Sequence, residues 1–152
     1  MENLLFASND HDIVSCDMLS QRDQRSLVFH LLYAMDAFDY DVSLESIIEN
    51  FAQVYGCIIH TTDAVFIATQ AIIVQRDLLA VELKPFLDNW RFDRLGVATR
   101  LILLYAMWEL LYTETDHIVI INEAVELSKC FAEDDAYKFV NGVLDEWRKK
   151  QD

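Results

Sequence analysis

From Ser20 onward, apolar residues recur at the spacing of an α-helix. In "SQRDQRSLVFHLLYAMDAF", Leu27, Val28, Leu31, Leu32 and Met35 share one helical stripe, and Ser20 followed by Asp23 resembles a variant capping box. The pattern predicts a helix from about residue 21 to 37. In "DVSLESIIENFAQVYG", Ser43 can cap, Leu44, Ile47, Ile48 and Phe51 form the stripe, and Gly56 stops the run. A third run, "TTDAVFIATQAIIVQRDLLAVELKPFL", starts at a cap cluster, Thr61 to Asp63, and places Val65, Phe66, Thr69, Ile72, Ile73 and Leu79 in register. The β-branched Ile72, Ile73 and Val74 favour a strand locally, but the length of the pattern favours a helix, and Pro85 is placed to open a further turn.

Beyond "DNW", the segment "RFDRLGVATRLILLYAMWELLY" is apolar on nearly every side, as expected of a helix surrounded by others. "TDHIVIINEAVELSKCF" and "EDDAYKFVNGVLDEWRKK" predict two more helices. Each opens on acids, and the last closes on Arg148, Lys149 and Lys150, which complements the helix dipole. Asn122 and Glu123 read as opening the first of the two, and Asp134 or Asp135 as capping the second through its carboxylate. Gly142 falls mid-helix, where glycine costs about 1 kcal/mol relative to alanine, so it is expected to permit close helix packing. No glycine-rich linker, repeat or low-complexity segment divides the chain. The expected class is all-α.

Composition narrows the chemistry. The 152 residues are 53% apolar, enough core for one domain, and 12 Lys and Arg against 26 Asp and Glu give a net charge of −14. Such a charge repels phosphate at long range, so any nucleic-acid contact must be local. Cys16, Cys57 and Cys130 are odd in number and far apart, so neither a disulfide framework nor a zinc site is expected, and a reducing cytoplasm fits. The start "MENLLFASNDHD" has the wrong polarity for a secretory signal. The longest apolar segment, Val97 to Leu111, is interrupted by Arg100 and Glu109 and is shorter than the roughly 20 residues that span a bilayer, so a soluble protein is expected.

Catalysis has no visible support. Gly56, Gly96 and Gly142 form no phosphate-cradling loop, and His11, His30, His60 and His117 show no metal-ligand spacing. "NDHD", Asn9 to Asp12, offers ligand atoms, but a polar leader is the stronger reading. No enzyme activity, metal or cofactor is expected.

The segments "RFDRLGVATRLILLYAMWELLY" and "INEAVELSKCFAEDDAYKFVNGVLDEW" resemble the second half of the NusB family of bacterial transcription antitermination factors, and "QRDQRSLVFHLLYAMD" is similar to that family's first helix. The resemblance is continuous from roughly Phe86 to Trp147. It implies an all-α, NusB-like helical bundle of two small helical subdomains, with residues 20–150 as one domain. Residues 1–19 form a variable extension for which disorder is the default expectation. It implies a non-catalytic role: binding boxA-type single-stranded RNA as a heterodimer with NusE, a small-subunit ribosomal protein, and thereby helping RNA polymerase read through terminators in ribosomal RNA operons. NusB-like domains occur as monomers and as dimers, so a homodimer stays open.

Carried over residue by residue, the resemblance places Arg22, Arg25, Tyr33, Lys129, Asp135, Lys138 and Phe139 at the RNA surface. Arg22 and Arg25 lie three apart beside a positive helix end and suit a phosphate, although ordinary solvated arginines pairing with Asp17 or Asp23 are the alternative. Gln21 and Asp23 stand where the family often has arginine. Tyr33 and Phe139 can stack on splayed bases, against the alternative of half-buried core rings. Lys129 and Lys138 can meet phosphates, and Asp135 can accept from a base amino group. For the protein partner the resemblance points to Asp93, Arg94, Thr99 and Arg100, with Thr99 departing from a common acid and Leu104 from a frequent arginine. A second function fits the acidity: a NusB-like protein-interaction module with little intrinsic RNA affinity.

Overall fold

The computed structural model describes residues 14–152. The leader Asn9 to Asp12 lies outside the described residues. The chain divides between Ile73 and Val74 into two compact units, with the long helix α3 (Ala64–Leu83) running through the division.

The first unit opens with β1 (Val14–Ser15) and a 3-10 turn (Cys16–Met18), then α1 (Gln21–Ala37), α2 (Leu44–Tyr55) and β2 (Cys57–Ile58). Helix α1 begins where Ser20 Oγ accepts the Asp23 backbone N–H at 3.1 Å, a cap of the kind that contributes about 1 kcal/mol. Leu27, Val28, Leu31, Leu32 and Met35 are all buried along its inner stripe. Ser43 Oγ accepts the Ser46 N–H at 3.2 Å at the head of α2, and Gly56, at a φ of 68°, takes the left-handed turn that ends it. β1 and β2 then pair in parallel, Val14 opposite Cys57 and Ser15 opposite Ile58. Two-residue strands are too short to show a period, so the hydrophobic pattern did not reveal them. Burial pushes the thiol of Cys57 up to about 11 and that of Cys16 further, so both stay protonated at neutral pH.

His30 is half-buried on α1 with its ring edge-on to Phe29 at 5.6 Å. Desolvation lowers its pKa below the ordinary 6.5. The folded state therefore takes up the proton less readily than the unfolded chain, so stability is fully present above about pH 6.5 and declines as pH falls below it. The melting temperature should fall between pH 7 and pH 5, and His30→Gln should flatten that fall.

The second unit contains α4 (Val97–Tyr112), α5 (His117–Phe131) and α6 (Ala136–Lys149), with 3-10 turns at Lys84–Phe86 and Phe92–Arg94. Pro85 occupies the first of these turns. α4 is buried from Ala98 to Met107 except at the half-buried Arg100, and again at Glu109 and Leu110, and α5 and α6 both pack on it and on each other. An all-round apolar sequence has become the central helix.

Several local expectations change. The N-cap of α5 is Asp116, whose Oδ1 accepts the Ile118 N–H at 2.8 Å, and Asn122 and Glu123 fall in the middle of that helix. Asp135 holds the N-cap position of α6 at a left-handed φ of 66°, yet its carboxylate caps no backbone N–H and turns to Lys138 Nζ at 3.4 Å. Gly142 is exposed, and a Cβ there would meet nothing within 4 Å, so no close helix approach requires glycine. Gly142→Ala should stabilise the protein by about 0.5–1 kcal/mol in denaturant unfolding.

Ala64–Phe86 is long and apolar enough to cross a membrane, with a mean hydropathy of 1.6 over its best window, and replaces Val97 to Leu111 as the longest apolar stretch. Arg76 and Asp77 interrupt it, and Val65, Phe66, Thr69, Ile72, Ile73, Leu79 and Leu83 are buried. Helical recurrence of the buried positions marks the side of α3 that packs against protein, while Ile67, Val74, Leu78 and Val81 along its other side are exposed.

Candidate nucleic-acid interface

In the first unit, α1 carries Arg22 exposed, Arg25 half-buried and Tyr33 47% exposed. At 3.6 residues per turn the three positions fall within an arc of about 80° and span about 16 Å along the axis. They form one ridge beginning at the helix's positive end. Tyr33 is held from below by the buried ring of Phe29, centroids 6.0 Å apart, which leaves a phenol face toward solvent.

In the second unit, the turn joining α5 to α6 gathers the other residues. Tyr137 lies between two lysines, with Lys129 Nζ 5.1 Å and Lys138 Nζ 5.9 Å from its ring centroid. Both ammonium groups also face acids, Lys129 to Glu126 at 3.6 Å and Lys138 to Asp135 at 3.4 Å. Those pairs are solvent-exposed, and exposed pairs contribute only about 0–1 kcal/mol, so exchanging the carboxylate for a phosphate costs little. Ser128, Lys129, Glu133, Asp135 and Tyr137 line a polar hollow of about 340 Å³ here.

A second, apolar hollow of about 280 Å³ opens beside it, lined by Trp90, Leu95, Thr99, Glu133, Ala136 and Phe139 among others. Phe139 is half-buried and meets Trp90 edge-on with centroids 6.2 Å apart, while Val143 and Trp147 further along the same stripe are buried in the core. The stripe thus changes role along its length. Its first ring reaches the surface and its last two positions hold α6 to the bundle. Gly96 permits the approach of Glu133, since a Cβ at 96 would lie 2.7 Å from Glu133 Oε1.

Around the start of α4, Asp93 and Arg94 are exposed, Asp93 pairing with Arg91 at 2.9 Å, and Arg100 is half-buried. Thr99 departs from the expected partner surface: only 2% of it is exposed, and its hydroxyl donates to Glu133 Oε1 at 3.3 Å. Leu104 is likewise buried. Helical rotation turns both inward, Leu104 into the core and Thr99 to the lining of the apolar hollow under Glu133.

Sequence reasoning passed over Trp90 and Tyr137. Trp90, 61% exposed, sits in the "DNW" connector, where a large exposed ring in a loop was itself the available signal. Tyr137 adjoins Lys138 in sequence, but its proximity to Lys129 arises only from the α5–α6 turn.

The NusB family profile matches residues 22–149. The transcription antitermination protein NusB of Staphylococcus epidermidis is 34% identical over 126 residues, covering 83% of this chain and 96% of that one. The protein of the same name in Helicobacter hepaticus is 39% identical over 132 residues, covering 84% and 81% respectively. Among solved structures, T. maritima NusB superposes with a TM-score of 0.72 at 29% identity, covering 87% of this chain and 92% of its own. Sequence match, relatives and all-α architecture agree, and the chain belongs to the NusB family.

Proposed function

We propose that this chain is a cytoplasmic transcription antitermination factor that binds boxA-type single-stranded RNA together with NusE and acts through that complex on RNA polymerase transcribing ribosomal RNA operons. The observation that carries this reading is the α5–α6 turn. There, Tyr137 stands between Lys129 and Lys138, beside the Phe139–Trp90 ring pair. Aromatic faces stack on unpaired bases regardless of sequence, at about 1–3 kcal/mol per base, and adjacent ammonium groups meet the phosphates between them. Asp135 can accept from a base amino group. On α1, Arg22 and Arg25 would take phosphates at the helix's positive end, with Tyr33 as a further stacking face. The exposed Asp93 and Arg94, with Arg100, would contribute to the NusE-binding surface.

A carboxylate-rich surround limits electrostatic attraction. Four basic side chains, Arg22, Arg25, Lys129 and Lys138, set the upper bound on neutralised phosphates among the proposed contacts. The slope of log affinity against log salt should therefore be no steeper than about −3, at about −0.7 per phosphate of a single strand. Fluorescence anisotropy across a salt series checks this, and a slope well beyond −3 would point to a different and more basic surface.

The net charge of −14 and the engagement of both lysines by acids favour a second reading, a protein-interaction module that keeps the NusE surface with little RNA affinity of its own. Under that reading NusE binds and RNA does not.

A further inference from the structure

The first unit holds a cluster of mixed ligand atoms that the RNA surface does not use. Cys16 and Asp17 lie on the 3-10 turn after β1, and His60 and Asp63 lie in the loop between β2 and α3. Parallel pairing of the two short strands sets these two pairs side by side. Cys16 and Asp17 precede the first residue matched by the family profile, residue 22, so the cluster depends on this chain's own N-terminal segment.

One ligand atom from each of Cys16, Asp17 and Asp63 lies within 4.8 Å of the others. Asp63 is the hub. Its Oδ2 accepts from Cys16 Sγ at 3.1 Å and from the His60 backbone N–H at 2.7 Å, and lies 3.4 Å from His60 Nδ1. Cys16 and Asp63 are buried, whereas Asp17 and the His60 ring face solvent and give an ion access. The two carboxylates thus lie within 4.8 Å of each other and of the Cys16 sulfur. Two adjacent carboxylates call for a shared proton or a cation.

We propose that Cys16, Asp17 and Asp63 bind one divalent transition-metal ion of the zinc type, with the exposed ring of His60, which lies 3.4 Å from Asp63 Oδ2 but outside the mutually close set, turning in as the fourth ligand. The donor set is one sulfur, one imidazole nitrogen and two carboxylate oxygens, which suits borderline-soft zinc better than calcium or magnesium, whose ligands are oxygens. The spacing suits it as well. Tetrahedral zinc with ordinary bond lengths sets sulfur and oxygen ligands about 3.6 Å apart and nitrogen and oxygen about 3.4 Å apart. The Cys16–Asp63 separation requires an adjustment of about half an ångström, whereas the exposed His60 ring has to turn to reach the ion. On binding, the thiol loses its proton to solvent, and the ion replaces the Cys16–Asp63 hydrogen bond. Separations of more than forty residues hide the cluster from any search for ligand spacing, which is why the sequence led to no metal site. Bound metal would pin residues Val14–Met18 to the head of α3.

Cobalt titration of the full chain, first stripped with a chelator, tests this. One equivalent of Co²⁺ should give tetrahedral visible bands and a near-ultraviolet thiolate-to-cobalt charge-transfer band, and Zn²⁺ should displace both and raise the melting temperature. Cys16→Ser should remove the charge-transfer band. Asp17→Asn, at an exposed position, should keep the metal-free helical spectrum and melting temperature while weakening binding tenfold or more. Absence of a charge-transfer band in the native chain, its persistence in Cys16→Ser, or unchanged affinity in Asp17→Asn would each overturn the assignment.

Discussion

Replacing Arg22 and Arg25 together by alanine should weaken binding of boxA-type RNA by roughly 30-fold or more at moderate salt. Hydrogen bonds to charged groups contribute about 1.5–3 kcal/mol each, and two partly solvated ones together about 2 kcal/mol, with tenfold in affinity for every 1.4 kcal/mol. The salt slope should become shallower by about 1.4, since two phosphates would no longer be neutralised. Stability should change by less than about 1 kcal/mol, because cations near a helix N-terminus oppose the dipole and contribute little to the fold. Loss of RNA binding with an unchanged melting temperature places these residues at the interface. Unchanged binding would leave them as ordinary surface charges.

The opposite pattern is expected at Leu103, at the middle of α4 with 0% exposure. Leu103→Ala should cost about 3–5 kcal/mol, from lost burial plus the cavity left between α4 and its neighbours. In a chain of this size that corresponds to a fall in melting temperature of about 10 °C. NusE and RNA binding should persist below the new transition. The contrast separates residues that hold the bundle from residues that use it.

Helices were legible because their signals are long. Over seventeen residues α1 repeats its apolar stripe several times, and Ser20 marks its start. α4 announced its central place by having no polar face. Less legible were features made by a few residues in three dimensions. β1 and β2 need each other across more than forty residues, and Asp135 has the composition of a cap but a left-handed backbone that aims its carboxylate at Lys138. Gly142 invited a packing explanation, yet it faces open space.

At the candidate interface, the resemblance supplied residue types in register, and the fold sorted them by direction. Helical rotation put Thr99 and Leu104 inside while Asp93 and Arg94 stayed outside. Phe139 belongs by spacing to the same stripe as Val143 and Trp147, and only the position of the α5–α6 turn brings its ring to the surface beside Trp90. The pairing of Tyr137 with Lys129 and Lys138 depends on the same turn, so no one-dimensional pattern contained it.

Binding of boxA-type RNA to the full chain, measured with and without NusE and against a scrambled RNA of equal length, decides whether this chain reads boxA. The expected result is sequence-preferring binding that tightens when NusE is added and weakens moderately with salt. No preference for boxA over the scrambled RNA, even with NusE bound, would contradict it.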